Sequence, residues 1–112
     1  MNYQDNKNMN TLEWLQEWYQ SYCDGDWEHQ YGINITTIDN PGWYIEIDLI
    51  YTKYQDLEIE IQNFNRSDTD WYGYKVLNGK FEAFGDPSKL ETLILKFKEI
   101  VDLRKNEEIK IW

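Results

Sequence analysis

Cysteine and proline are scarce in this chain, and neither a long apolar run nor an excess of basic charge occurs anywhere in its 112 residues. The one cysteine, Cys23, excludes an internal disulfide framework. No stretch approaches the roughly 18 consecutive apolar residues of a membrane span, and residues 1–10 lack the basic start and apolar run of a signal peptide. A cytoplasmic protein with no membrane partner is therefore expected, in which the sequons Asn34-Ile35-Thr36 and Asn65-Arg66-Ser67 carry no glycan. Basic residues are missing in one particular place, since no Lys or Arg lies between Lys7 and Lys53. Residues 1–56 hold 10 acidic and 2 basic residues (net −8) and residues 57–112 hold 11 and 9 (net −2), which together make −10. A field of that sign repels nucleic acid and favours a basic partner.

Aromatic residues are abundant, at 17%, within an apolar share of 41%, enough for one core in a chain of this length. Residues 1–9 are polar and read as a loose end. Asn10, three before Glu13, is an N-cap with its capping-box partner, and Leu12, Leu15, Trp18, Tyr19 and Tyr22 recur at helical spacing up to a stop at Gly25. Alternation then predicts strands over 31–37, 43–50 and 57–61. Asp39-Asn40-Pro41-Gly42 joins the first two as a reversal in which proline presets φ and glycine supplies a positive one. After a polar loop over 65–70, Asn78-Gly79 marks a hairpin between strands 71–77 and 80–84. Asp86-Pro87-Ser88 opens a second helix with the stripe Leu90, Leu93, Ile94, Phe97, Ile100 and Val101, running to about Leu103. The tail from Glu107 to Trp112 reads as an extra edge strand or a loose end. The expected fold is one α+β domain, 1–112, with about five antiparallel strands and the N- and C-terminal helices packed on one face. Leu15, Trp18, Ile47, Ile59, Leu93 and Phe97 are expected in its core.

The densest chemical cluster runs from Cys23 to His29 and holds the only Cys and the only His. Asp24, Asp26 and Glu28 imitate the first three ligands of a calcium loop, but His29 stands where that loop needs Gly and Ile35 where it needs Glu. One Cys and one His leave a zinc ion short of ligands, so no metal and no cofactor is expected. The acidic neighbours of Cys23 disfavour a thiolate, so a half-buried inert thiol is the simpler reading. A small enzyme, hydrolase or sulfurtransferase-like, built on Cys23, Asp24, Asp26, Glu28 and His29 is the alternative to a binding module. The stretch without basic residues instead combines exposed-strand and helix aromatics with eight carboxylates, as a protein interface does when rings anchor and charge steers. Asp24, Asp26, Trp27, Glu28, His29, Asp39, Trp43, Tyr44, Glu46 and Asp48 are the residues expected to meet a partner. Trp27 and His29 are expected also to hold the helix-to-strand corner.

The runs Trp14-Leu15-Gln16-Glu17-Trp18-Tyr19, Cys23-Asp24-Gly25-Asp26-Trp27-Glu28-His29-Gln30-Tyr31-Gly32, Asp39-Asn40-Pro41-Gly42-Trp43, Asp70-Trp71-Tyr72 and Phe81-Glu82-Ala83-Phe84-Gly85-Asp86-Pro87 resemble the immunity protein 53 family of bacterial polymorphic toxin systems, over about residues 12–103. The resemblance implies a small α+β protein, made beside a toxin gene, that binds the toxin domain and blocks it in the producing cell. A basic nuclease is the partner that the charge of the chain would suit. Glu58, Glu60 and the tail after Leu103 look particular to this chain.

Overall fold

A computed structural model describes residues 9–110 of the chain. Residues 1–8 of the expected loose N-terminal end, and residues 111–112 of the tail, lie outside the described residues. Among the described residues, three helices and five strands follow one another as α1 (Thr11–Tyr22), α2 (Trp27–Gln30), β1 (Ile33–Ile38), β2 (Gly42–Asp48), β3 (Ile59–Ser67), β4 (Asp70–Leu77), β5 (Lys80–Gly85) and α3 (Leu90–Lys110). The strands form one antiparallel sheet in the order β1-β2-β5-β4-β3. The fold is α+β, with its two long helices at the N- and C-terminal ends.

α1 begins at the expected capping box. The Glu13 N–H donates to Asn10 Oδ1 at 2.8 Å, and the Asn10 N–H donates to Glu13 Oε1 at 3.2 Å, so two of the unpaired donors at the helix start are satisfied reciprocally. α3 lies over β4 and β5, where Phe97 meets Phe81 at 5.1 Å between centroids, and α1 packs on α3 by setting the edges of Trp14 and Trp18 against Phe97. Of the expected core residues, Leu15, Trp18, Ile47, Leu93 and Phe97 are buried, and Ile59 is half-buried against them. Asn78 and Gly79 both take positive φ, 54° and 74°, as the tight turn between β4 and β5 requires.

Several elements differ from expectation. The Asn40–Pro41 peptide is cis, and Gly42 is the first residue of β2 rather than a positive-φ turn residue. Glycine is needed there because a Cβ would strike the carbonyl oxygen of Gly85 on β5. β3 continues to Ser67, so the polar stretch taken for a loop is mostly strand, and only Asp68 and Thr69 join it to β4. At a sheet edge with both faces wet, no apolar alternation is demanded and none announces the strand. The segment between β2 and β3 crosses the end of the sheet at the β4–β5 turn. There the Leu49 N–H donates to Gly79 O at 2.7 Å, and a Cβ on Gly79 would meet the Ile50 side chain. α3 starts at Leu90, four residues after Asp86, and continues to Lys110, so residues 107–110 of the expected tail are helical backbone and not an edge strand. No glycine or proline interrupts residues 101–110, and Arg, Lys and Glu are among the better helix formers.

Asp86, 1% exposed, is the buried charge of the structure's far end. Its Oδ2 accepts from the Trp71 N–H at 2.8 Å and from Lys89 Nζ at 2.8 Å, and its Oδ1 accepts from the Ser88 N–H and hydroxyl. Lys89 also reaches Asp70 at 2.8 Å, so one network ties the ends of β4 and β5 to the start of α3. Burial pushes the Asp86 carboxyl up, but the bonds from Lys89, Ser88 and the Trp71 N–H outweigh it and hold the group well below the usual carboxylate range. A carboxyl depressed in the folded state contributes stability that is fully present above its unfolded value, about 3.9, and is lost as pH falls toward the native one. Asp86→Asn is expected to lower the thermal midpoint at pH 7 by roughly 5 °C or more. Below about pH 4 the gap to the wild type should close, which a series of melts between pH 7 and pH 2 would read.

Candidate functional site

The corner between α1 and β1 gathers the sequence cluster. Cys23 caps α1 through its N–H to Gln20 O, and Gly25 then takes φ +99° with open space where a Cβ would be. The turn is closed by its own carboxylates. Asp24 Oδ1 accepts from the N–H groups of Asp26 at 2.9 Å and Trp27 at 3.0 Å. Glu28 returns the favour, its two oxygens accepting from the N–H groups of Asp24 and Gly25 at 3.0 and 2.9 Å. Those N–H bonds from Trp27 and Asp26 lower the Asp24 pKa by favouring the charged form. At the other side of the corner, Asp48 Oδ2 accepts from the Gly32 N–H at 2.9 Å while the Asp48 N–H donates to Gly32 O, which pins the entry to β1 against the end of β2.

Trp27 is the centre of this corner. It is 5% exposed and its indole N–H donates to Ile50 O at 2.9 Å. Trp18, Tyr19, Tyr22 and Tyr31 surround it at centroid distances of 5.8–6.3 Å in tilted or edge-on geometry, the arrangement that ring quadrupoles favour. His29, expected to share the holding of the corner, is exposed and makes no side-chain hydrogen bond among the described residues, so Trp27 does that work with Asp24, Glu28 and Asp48.

Two clefts flank α2. The larger, of about 550 Å³, is walled by Leu15, Gln16 and Tyr19 of α1, by Glu28 to Gln30, and by Tyr31 to Asn34 with Asp48. The smaller, of about 240 Å³, lies between Ser21, Tyr22, Asp24, Asp26 and Trp27 on one side and Gln30, Tyr31 and Tyr51 on the other. They meet along the ridge of Gln30 and Tyr31, and neither wall contains a Lys or Arg. Tyr51 has no signal in the sequence. It holds φ +62°, a strained conformation for a bulky residue, and its side chain is 74% exposed with its ring 5.8 Å from Tyr31. Gln30 and Tyr51 carry no periodicity or charge that marks them as site residues, and Tyr31 reads in the sequence only as the start of an alternating strand.

The ten expected partner residues fall in three places. Asp24, Asp26, Trp27, Glu28, His29 and Asp48 meet at the corner. Asp39 and Trp43 sit at the opposite end of β1 and β2, a strand's length or roughly 20 Å away. Asp39 is exposed in the turn, whereas Trp43 is half-buried against the core and donates its indole N–H to Pro87 O at 2.9 Å. Tyr44 and Glu46 stand on the sheet face away from the helices. There burial and the neighbouring Glu82 and Glu46 raise the Tyr44 pKa, so the phenol keeps its proton and donates it to Glu82 Oε2 at 2.7 Å. Lys80 and Lys75 face Glu46 and Glu82 at 3.3 and 3.5 Å, so the charge of that face is balanced. Cys23 is exposed, its thiol pointing to Tyr19 O at 3.4 Å, and lines neither cleft beside α2, while His29 opens on the larger and Asp24 and Asp26 on the smaller. The residues of the enzymatic alternative thus do not converge on one point. No group of three or more His, Cys, Asp and Glu among the described residues is placed to hold a metal ion, and no described helix is long and apolar enough to cross a membrane.

A sequence profile of the family described as Immunity protein 53 matches residues 12–102. No curated protein matches the chain, and no solved structure matches it.

Trp27→Phe keeps a ring in the corner but leaves Ile50 O without its donor, and is expected to cost about 1–2 kcal/mol in urea unfolding. Because the corner is closed by carboxylates bonded to backbone N–H groups, dialysis against a chelator should leave the melting midpoint unchanged. A structural metal would instead drop it by several degrees on removal.

Proposed function

The chain belongs to the immunity protein 53 family, and we propose that it acts by binding a cognate toxin domain through the acidic corner around α2 and blocking that toxin in the cytoplasm of the cell that makes both. The observation that carries this reading is the pair of clefts that share the Gln30 and Tyr31 ridge. They are lined by Asp24, Asp26, Glu28 and Asp48, set with tyrosine rings, and without a Lys or Arg in their walls. Rings with two torsions anchor at low entropic cost, and carboxylates fixed by the backbone present charge without being reorganised on contact. The partner that fits is a basic surface. A nuclease has one because it must hold phosphates, and an immunity protein seated there would exclude the nucleic acid. Binding, not catalysis, is the role proposed for the Cys23 to His29 cluster, since Asp24 and Glu28 are occupied with backbone N–H groups and Cys23 is not among the residues that line either cleft.

The turn geometry dictates how to test the charge. Reversal to Lys at Asp24 would remove the acceptor of the Asp26 and Trp27 N–H groups as well as the charge, whereas Asp24→Asn retains the accepting Oδ1. The triple variant Asp24→Asn, Asp26→Asn, Asp48→Asn is expected to slow association with the toxin encoded beside it by about tenfold at low salt, with dissociation nearly unchanged. Stopped-flow association at two ionic strengths, followed by survival of cells expressing the toxin, reads it. Salt-insensitive association, or an unchanged on-rate in the triple variant, would move the interface off this corner.

A further inference from the structure

β3 ends the sheet, and its outer edge is covered by no strand among the described residues. It is nine residues long and exposed from Glu60 to Ser67 on both faces, with Ile61 and Phe64 at 50% and 42% exposure. Edges of that length are ordinarily guarded by Lys, by Pro, by bulges or by a covering element, and here only the steps on either side of Gln62–Asn65 are irregular. Between Ile59 and Ser67 there is neither Lys nor Pro.

We propose that two copies of this chain associate through this edge, their β3 strands pairing antiparallel about a two-fold axis at Asn63. An axis perpendicular to the sheet sets residue 63 − n of one copy opposite residue 63 + n of the other and keeps opposed residues on the same face. That register sets Glu60 opposite Arg66 of the second copy, and does so twice. It also brings the two Phe64 rings to a diagonal relation, near enough for aromatic side chains to touch. Phe64 already stacks on Tyr72 at 4.7 Å and 17°, so the junction would join two stacked pairs and cover the exposed ring. The pairing of β3 with β4 is regular over Gln62–Asn65 and shifts on either side, between Ile59 and Gln62 and between Asn65 and Ser67. The irregular step that holds Glu60 therefore lies opposite the one that holds Arg66.

Arg66 is free to change partners. It is 84% exposed and 3.8 Å from Asp70, which Lys89 holds more closely at 2.8 Å. β1, the other edge strand among the described residues, offers no such register, because Ile33–Ile38 contains no charged residue. The half of the sequence that contains β3, residues 57–112, carries 9 basic against 11 acidic residues (net −2), where residues 1–56 carry net −8.

Two seven-residue strands make a small interface of the weak, reversible class, so the measurement is sedimentation equilibrium of the full chain up to about 1 mM. The wild type should show a monomer–dimer equilibrium. Arg66→Glu, and separately Glu60→Arg, each set like charges opposite one another and should raise the dissociation constant at least about tenfold. The double variant Glu60→Arg, Arg66→Glu restores both pairs and should return to within about threefold of the wild type. Circular dichroism and melting of the same samples confirm that each variant is folded. A chain that stays monomeric throughout overturns the proposal, as does a dimer that Arg66→Glu leaves unweakened or that the double variant fails to restore.

Discussion

The hydrogen bond from the Trp27 indole to Ile50 O, made inside a cage of four other rings, is the contact on which the shape of this molecule's acidic end depends. It fastens three separate pieces of chain: the end of α1 through Trp18 and Tyr22, the entry to β1 through Tyr31, and the segment leaving β2 through Ile50. Each side chain of this kind buries on the order of 150–250 Å², so the corner is held by packing first and by polar bonds second. α2 is only four residues long and could not persist by helix propensity. It exists because Trp27 is inserted and because Asp24 and Glu28 satisfy the backbone donors around it.

Those carboxylates serve two ends at once. An ionised carboxylate has about four acceptor positions, and Asp24, Glu28 and Asp48 have one or two bonds to backbone N–H groups apiece. Charge bonded to the main chain on one side and open to a cleft on the other is fixed in place, which flexible surface acids are not. The contrast with the sheet face is instructive. There Glu46 and Glu82 are matched by Lys80 and Lys75, so these two carboxylates yield little net field. Acidic composition alone does not locate an acidic surface; the pairing of each group does.

What could be read in the residues beforehand follows from how local each determinant is. The Asn10 to Glu13 box, the Asn78-Gly79 turn and the stripe around Phe97 are specified within a few residues, and each stands where its spacing places it. The site was half legible: the acids and Trp27 are contiguous with one another, and only Asp48 had to be brought in by the fold. Tyr51 was hidden because its position depends on the crossing over Gly79, a contact between residues far apart in sequence. Gly42 was assigned to a turn conformation when its real constraint is the approach of Gly85 on another strand. The second half of β3 was invisible for a different reason, since a strand wet on both faces needs no pattern at all.

The two strongest fastenings lie at opposite ends of the strands. β5 runs from Lys80, paired with Asp48 beside the corner, to Gly85, paired with Trp43 at the far end, where Asp86 follows. The Asp86 network therefore holds the sheet and α3 together without touching the clefts, and Trp27 holds the corner without touching α3's start. The sheet with α3 and the acidic corner thus rest on different residues of one small core. Charge at the corner stands free of the burial that fixes Asp86, which is why acids gather there: a carboxylate in the core must recruit a lysine and three further donors, whereas one at the corner needs only the backbone beside it.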